Sequence, residues 1–237
     1  MERYKLKCGD SITLIKTMKD DFVDICFTSP PYNMKGAKTS KQNESKQKYC
    51  NEVEQMTSEE YYQFLKESID EMLRVTKRLV VLNIQKNYYN KKQVLRIIGD
   101  YSEYIHDIII WNKTNPMPSS IKHKITNAYE MFIILKKNQK DKVNINSESF
   151  KNVITEPSNN NRKYAKYHRA IMNINVYEKV LIEFIKPNDI VFDMFCGLST
   201  TGVVALKHNC RYIGIDKEEL YIKLSKERLK QFSRCNK

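Results

Sequence analysis

Residues 189–202 read Asp189-Ile190-Val191-Phe192-Asp193-Met194-Phe195-Cys196-Gly197-Leu198-Ser199-Thr200-Thr201-Gly202. The short β-branched and aromatic run closed by Asp193 predicts a buried strand, the small residues after it a turn, and the stretch from about Thr200 a helix. Arg211 to Ile215 then reads as another strand, closed by Asp216. In doubly wound folds a ligand sits outside the carboxyl ends of such strands, against the turn and the helix N-terminus. An acid about 20 residues further on can take two ribose hydroxyls. Gly197 and Asp216 have that spacing. The turn lacks a full G-x-G-x-x-G, which favours a ligand without a pyrophosphate. A tight structural connection is the alternative for this turn taken alone.

Outward from that stretch, Asp24–Thr28, Arg78–Ile84, Tyr104–Trp111 and Tyr129–Leu135 are further strand candidates. Helical spacing of apolar residues runs from Ser58 to about Val75, from Lys91 to Ile98, from Val176 to Phe184 and from Leu220 to Phe232. Buried strands alternating with helices predict an α/β fold, a doubly wound and mostly parallel sheet with helices on both faces. Three regions are expected: 1–111, with a polar and therefore mobile loop at 34–57; 112–166, a strand plus a small basic insert; and 167–237, around the turn quoted above.

The chain has 237 residues, enough for one large domain, with 41 Lys+Arg against 28 Asp+Glu and a formal net charge of +13. Such an excess points to a polyanionic partner, because clustered cations gain affinity by releasing phosphate counterions; a Lys-rich composition is the bland alternative. No apolar run approaches the roughly 20 residues of a membrane helix. The opening MERYKLKCGD has basic residues but no apolar stretch after them, so a cytoplasmic protein, neither secreted nor membrane-bound, is expected. Six cysteines without a C-x-x-C pair suggest buried thiols in a reducing compartment and no metal site.

A second candidate site is Thr28-Ser29-Pro30-Pro31-Tyr32-Asn33, at the carboxyl end of a predicted strand. Two prolines fix the backbone and offer carbonyl acceptors without N–H donors. Ser29 adds a hydroxyl, and Tyr32 a flat ring for stacking. The set suits an exocyclic amine on a planar base, whose two N–H bonds need two acceptors. In isolation it could equally be a rigid turn.

Together, the two sites resemble those of the S-adenosylmethionine-dependent amino-methyltransferases of DNA, in the β class where the catalytic motif precedes the cofactor motif. Ser29-Pro30-Pro31-Tyr32 matches the catalytic motif, and Asp193, Phe195 and Gly197 match the cofactor motif D-P-F-x-G-S-G-T. Gly9-Asp10-Ser11 matches the G-D-S element, and Tyr212-Ile213-Gly214-Ile215-Asp216, with Tyr221 and Glu227-Arg228-Leu229, matches the element that closes the cofactor site. Met194 stands in place of the usual proline and Ser199 in place of the second glycine. The H-P-T-x-K-P element appears as His168-Arg169-Ala170-Ile171-Met172-Asn173, without its lysine and prolines.

The resemblance implies a Rossmann-like methyltransferase that moves a methyl group to the amine of a base flipped out of double-stranded DNA. Ser29, Pro30, Pro31 and Tyr32 would be catalytic, with the amine held by Ser29 and the Pro30 carbonyl. Asp10 would face the cofactor's adenine end, Asp193, Phe195 and Gly197 its methionine end, and Asp216 its ribose, with Ser199 and His168 adjoining. Asp10 as a helix N-cap and Asp216 as a solvated acid are the plain alternatives. No metal is implied. Segment 112–166 carries eleven basic and four acidic residues; within it, Lys113, Lys122, Lys124, Lys136, Lys137, Arg162 and Lys163 are candidate DNA contacts. Ser before Pro-Pro-Tyr leans toward cytosine N4 over adenine N6. A homodimer and a cognate restriction endonuclease are possible partners. Three rivals remain: a methyltransferase for protein or RNA, a DNA-binding subunit without catalysis, and a nicotinamide oxidoreductase.

Overall fold

The alternation of side chains along β2 (Val23–Thr28) sets up the layers of the molecule. In the computed structural model, which describes residues 3–33, 56–116, 118, 125–158 and 172–233, Ile25 and Phe27 point into one apolar core and Val23 and Cys26 into another. An irregularity between Val23 and Ile25 resets the alternation. The same two-sided burial recurs along β3 (Thr76–Ile84), where Leu79 and Val81 face the first core and Val80, Leu82 and Ile84 the second. It recurs again in β5 (Tyr129–Lys136). Such strands read as continuous apolar runs because both sheet faces are covered.

The full sheet has eight strands in the order β1-β8-β7-β2-β3-β5-β4-β6, with β1 (Tyr4–Cys8), β4 (Ile105–Lys113), β6 (Val153–Glu156), β7 (Ile190–Asp193) and β8 (Arg211–Asp216) completing it. All neighbours pair in parallel except those of β5, which runs against both β3 and β4. Helices α1 (Ser11–Lys16), α2 (Ser58–Val75) and α3 (Lys91–Asp100) pack on the second core. Helices α4 (Ile174–Leu181), α5 (Thr200–Lys207) and α6 (Glu219–Ser233) pack on the first. The expected doubly wound α/β architecture, Rossmann-like, is the one observed. No described helix is long and apolar enough to cross a membrane.

Local chemistry starts the elements where the apolar spacing placed them. α2 opens with a capping box, Thr57 Oγ1 accepting from the Glu60 amide and Glu60 Oε2 from the Thr57 amide at 2.7 Å. Two strands escaped the sequence reading. β1 carries Lys5 and Lys7 between its apolar residues, and β6 is a four-residue edge strand in which Ile154 alone is buried. Within 112–166 the expected strand is β5, which lies inside the sheet between β3 and β4, and β6 adds the outer edge. The loop expected at 34–57 falls, from 34 to 55, outside the described residues. Cys26, Cys196 and Cys210 are buried and Cys8 is exposed.

The chain leaves β2 through α2 toward β3, and leaves β7 through α5 toward β8, in the opposite direction. The carboxyl ends of β2 and β7 therefore flank a topological switch point, where open α/β sheets bind ligands. Close packing of α5 on β8 at this point depends on Gly202: a Cβ there would lie 2.4 Å from Cε1 of the buried Tyr212 ring. Gly202→Ala should lower stability by about 1–2 kcal/mol, overpacking outweighing the gain in helix propensity. An unchanged urea midpoint would contradict this.

Candidate functional site

β2 ends at Thr28, and the next five residues turn sharply at the sheet's carboxyl edge. Pro30 and Pro31 supply no N–H, so the loop's shape is held through carbonyls and side chains. Tyr61 Oη of α2 donates to the Pro31 carbonyl at 2.7 Å. Asn87 and Asn90 donate to the Tyr32 carbonyl at 3.1 and 2.9 Å. Asn33, buried and left-handed at φ 49°, donates to the Met56 carbonyl. The expectation that both prolines offer open carbonyl acceptors is thus corrected. The Pro31 oxygen is spent on α2, while the Pro30 carbonyl accepts no hydrogen bond among the described residues.

Tyr32 is anchored by its hydroxyl. Its Oη lies 3.0 Å from Ser29 Oγ, 3.1 Å from Glu130 Oε2 and 3.3 Å from Asn83 Oδ1. A carboxylate can only accept, so the Tyr32 hydrogen points to Glu130 and the Ser29 hydrogen to Tyr32. The lone pairs of Ser29 Oγ are thereby turned away from the core. Burial, then the Glu130 charge, push the Tyr32 phenol well above its ordinary value and keep it protonated. Tyr177 Oη donates to the same Asn83 oxygen at 3.2 Å, and the Tyr177 ring meets the Phe27 ring edge-on at 4.9 Å between centroids.

On the neighbouring strand, Asp193 closes β7. Thr28 Oγ1 donates to Asp193 Oδ1 at 2.6 Å and accepts from the Phe195 amide at 3.1 Å. One hydroxyl thus joins the two corners that the sequence placed 165 residues apart. Burial pushes the Asp193 carboxyl up to about 6, against the opposing bonds from Thr28, Thr201 and the Phe195 amide. Gly197 takes a left-handed φ of 49° and donates its amide to Asp216 Oδ2 at 2.8 Å. Asp216 Oδ1 accepts from the Glu218 amide at 2.9 Å; burial raises this carboxyl while the two amides oppose the shift. Ser199, at the former glycine position, also adopts a left-handed conformation, at φ 55°.

The turn is braced from α6. Ser225 Oγ donates to the Gly197 carbonyl at 2.9 Å, and buried Arg228 donates to the Leu198 carbonyl at 2.8 Å and to Thr200 Oγ1 at 3.1 Å. Phe195 packs its ring 5.6 Å from that of Phe64. Asp10 reaches the same edge because β1 pairs with β8, the Gly9 amide donating to the Asp216 carbonyl at 3.0 Å. It caps α1, with Oδ1 accepting from the Thr13 amide and hydroxyl at 2.8 and 2.7 Å. The plain N-cap reading of Asp10 therefore describes one of its oxygens. Two carboxylates at adjacent strand ends can receive a cationic group and hydroxyl donors.

Four residues of the site were missed: Thr28 as the bridge, Asn83, Glu130 and Tyr177. A glutamate or an asparagine inside an otherwise apolar strand was the available signal, since such a residue is buried only with partners. Of the expected DNA contacts, Lys113 is turned inward, pairing with Glu130 at 2.6 Å with 11% of its side chain exposed. Lys136 and Lys137 are not brought to this edge. Antiparallel β5 carries them to the opposite end of the sheet, where Lys137 donates to the Leu73 and Arg74 carbonyls at the end of α2. His168, Lys122, Lys124, Arg162 and Lys163 lie outside the described residues. Tyr88 and Tyr89, just past β3 and beside the loop that follows β2, are 63% and 47% exposed, with Lys91 Nζ 5.6 Å from the Tyr88 ring centre.

Comparison with known proteins gives one consistent result. The sequence pattern of the family described as DNA methylase matches residues 23–227. The chain is 27% identical to the type II methyltransferase M.HinfI of Haemophilus influenzae, over 94% of this chain and 67% of the relative. Its fold is similar to that of the PvuII DNA methyltransferase (cytosine-N4-specific), with a TM-score of 0.76 at 18% identity, covering 98% of this chain and 92% of the other. It is also similar to M1.HpyAVI in its SAM complex, with a TM-score of 0.66 at 22% identity, covering 95% and 100%.

The raised Asp193 carboxyl has a consequence for stability. Its folded value of about 6 exceeds the ordinary 3.8, so the ionised form weakens the fold above pH 6, and the penalty is relieved as pH falls from 6 toward 4. Asp193→Asn keeps the acceptor oxygen and removes the charge. The variant should be about 1–3 kcal/mol more stable than the parent at pH 8, the gap closing near pH 4 in denaturant titrations. A gap that widens on acidification would refute the assignment.

Proposed function

This chain belongs to the DNA methylase family, and on that premise we propose that it transfers a methyl group from S-adenosylmethionine to the exocyclic amine of a base in double-stranded DNA, with cytosine N4 preferred over adenine N6. The observation that carries the reading is the Thr28–Asp193 bond, which keeps the amine-binding corner beside the acidic corner. When bound, S-adenosylmethionine supplies a methyl group already activated on a cationic sulfur. The acidic corner suits it. Asp193 offers a buried carboxylate to its ammonium, and Asp216, held by two amides, keeps lone pairs for ribose hydroxyls.

At the other corner, Ser29 Oγ and the Pro30 carbonyl are the acceptors for the two amine hydrogens. Accepting both bonds draws the nitrogen toward tetrahedral geometry and frees a lone pair otherwise conjugated with the ring. Held in line with the methyl group, that lone pair gains most of its rate from orientation. The base reaches these groups only after leaving the duplex, and Tyr32 offers a ring face against it. Exposed Tyr88 and Tyr89, with Lys91, flank the same edge and suit a DNA strand there, by stacking and by charge. The leaning to cytosine rests on the serine at position 29.

DNA from a methylation-free host expressing the chain, digested to nucleosides and weighed, should contain N4-methylcytosine. N6-methyladenine alone would transfer the reading to adenine, and neither product would end it. Ser29→Ala should slow transfer by at least about 10-fold, the worth of one hydrogen bond to a developing charge. Because Asp193 takes up a proton near pH 6, calorimetric affinity for S-adenosylmethionine should weaken as pH falls from 7.5 to 5.5. In Asp193→Asn that affinity should be low and flat.

A further inference from the structure

A line of polar groups runs from Ser29 into the protein interior and ends on a charge that the chemistry above leaves without a role. Ser29 Oγ is 3.0 Å from Tyr32 Oη, and Tyr32 Oη is 3.1 Å from Glu130 Oε2. Glu130 is buried near the start of β5, and its second oxygen, Oε1, pairs with Lys113 Nζ of β4 at 2.6 Å. Lys113 approaches from the end of the antiparallel neighbour, where Trp111 stands opposite Glu130. Burying an ion pair inside a protein is costly, and apolar side chains of similar size often serve stability as well or better. Anchoring the Tyr32 ring would need only a neutral acceptor, and Asn83 Oδ1 already stands 3.3 Å from its hydroxyl.

A serine at the amine site creates a need that this line meets. A hydroxyl can accept a hydrogen bond from the amine, but it cannot keep the proton that the amine must lose. We propose that Ser29, Tyr32 and Glu130 form a proton relay from the methylated nitrogen, with Glu130 as the terminal acceptor; this rests on the methyl-transfer reading above.

In that step the nitrogen lone pair forms the N–C bond as the C–S bond breaks, its electron pair staying on sulfur. The nitrogen then carries a positive charge and one hydrogen too many. This proton goes to Ser29 Oγ while the Ser29 hydrogen moves to Tyr32 Oη and the Tyr32 hydrogen moves to Glu130 Oε2. Ser29 and Tyr32 finish neutral, as they began, and Glu130 becomes a neutral acid beside the Lys113 cation. Loss of that proton to solvent and rotation of the two hydroxyls reset the line. Lys113 acts as a positioning residue, holding Oε1 so that Oε2 faces Tyr32.

The test uses the full chain with duplex DNA in single-turnover methyl transfer. Tyr32→Phe cuts the relay while leaving the Glu130–Lys113 pair in place, and Glu130→Gln keeps an acceptor oxygen but cannot take the proton. Each should slow transfer about 100-fold, the low end of general acid–base catalysis, with calorimetric affinity for S-adenosylmethionine within threefold of the parent. The parent's solvent deuterium isotope effect should be lost in both. Because both substitutions break one line, the double variant should be no slower than either single one. Variants within threefold of the parent rate, or slowed variants that retain the isotope effect, overturn the relay. If the unsubstituted chain methylates no DNA, the methyl-transfer reading falls, and the relay with it; a parent that methylates while both variants keep its rate overturns the relay alone.

Discussion

The bond from Thr28 Oγ1 to Asp193 Oδ1 is the constraint on which the rest of the site depends. It crosses between β2 and β7, whose parallel register at Ile25–Val191 and Cys26–Phe192 brings their carboxyl ends level. The same hydroxyl accepts the Phe195 amide, so the first residues of both turns share one polar centre. Neither turn could shift by a residue without leaving a buried carboxylate short of a partner, at a cost of several kcal/mol. Opposite departures of the chain from these strands leave the crevice between them open.

Around this centre the protein keeps charges where packing alone would not. Asp193 sits buried with its carboxyl raised toward neutrality, and Asp216 is held by two backbone amides. Such groups reduce stability in the free protein, and in the function proposed above a cationic, hydroxyl-bearing ligand would supply their partners, the usual exchange of stability for function. The surrounding bracing is correspondingly dense. Ser225 and Arg228 secure the carbonyls of the turn after β7, while Tyr61, Asn87 and Asn90 secure those of the turn after β2. Both turns are thus rigid before any ligand binds, which favours catalysis by orientation.

Legibility in the sequence divided along physical lines. Strands β2, β3, β5 and β7 were readable because two-sided burial leaves continuous apolar runs, and α2 because its cap and apolar spacing agree. β6 was not, since an edge strand with one buried residue carries almost no pattern. Asp193, Gly197 and Asp216 could be placed together from spacing along one strand–turn–helix–strand unit. Glu130 and Asn83 could not, since each belongs to a different strand and joins Tyr32 only through strand order.

By itself, then, the order of residues determined the α/β class, the two motif-bearing turns and the family resemblance, because strands, helices and turns depend on neighbours a few positions away. Only the tertiary structure decided that the turns share the Thr28 hydroxyl, that Lys113 faces inward to Glu130, and that Lys136 and Lys137 stand at the far end of the sheet. Strand order and the reversed direction of β5 set those three facts, and both arise from contacts between segments distant in sequence, which local spacing does not encode.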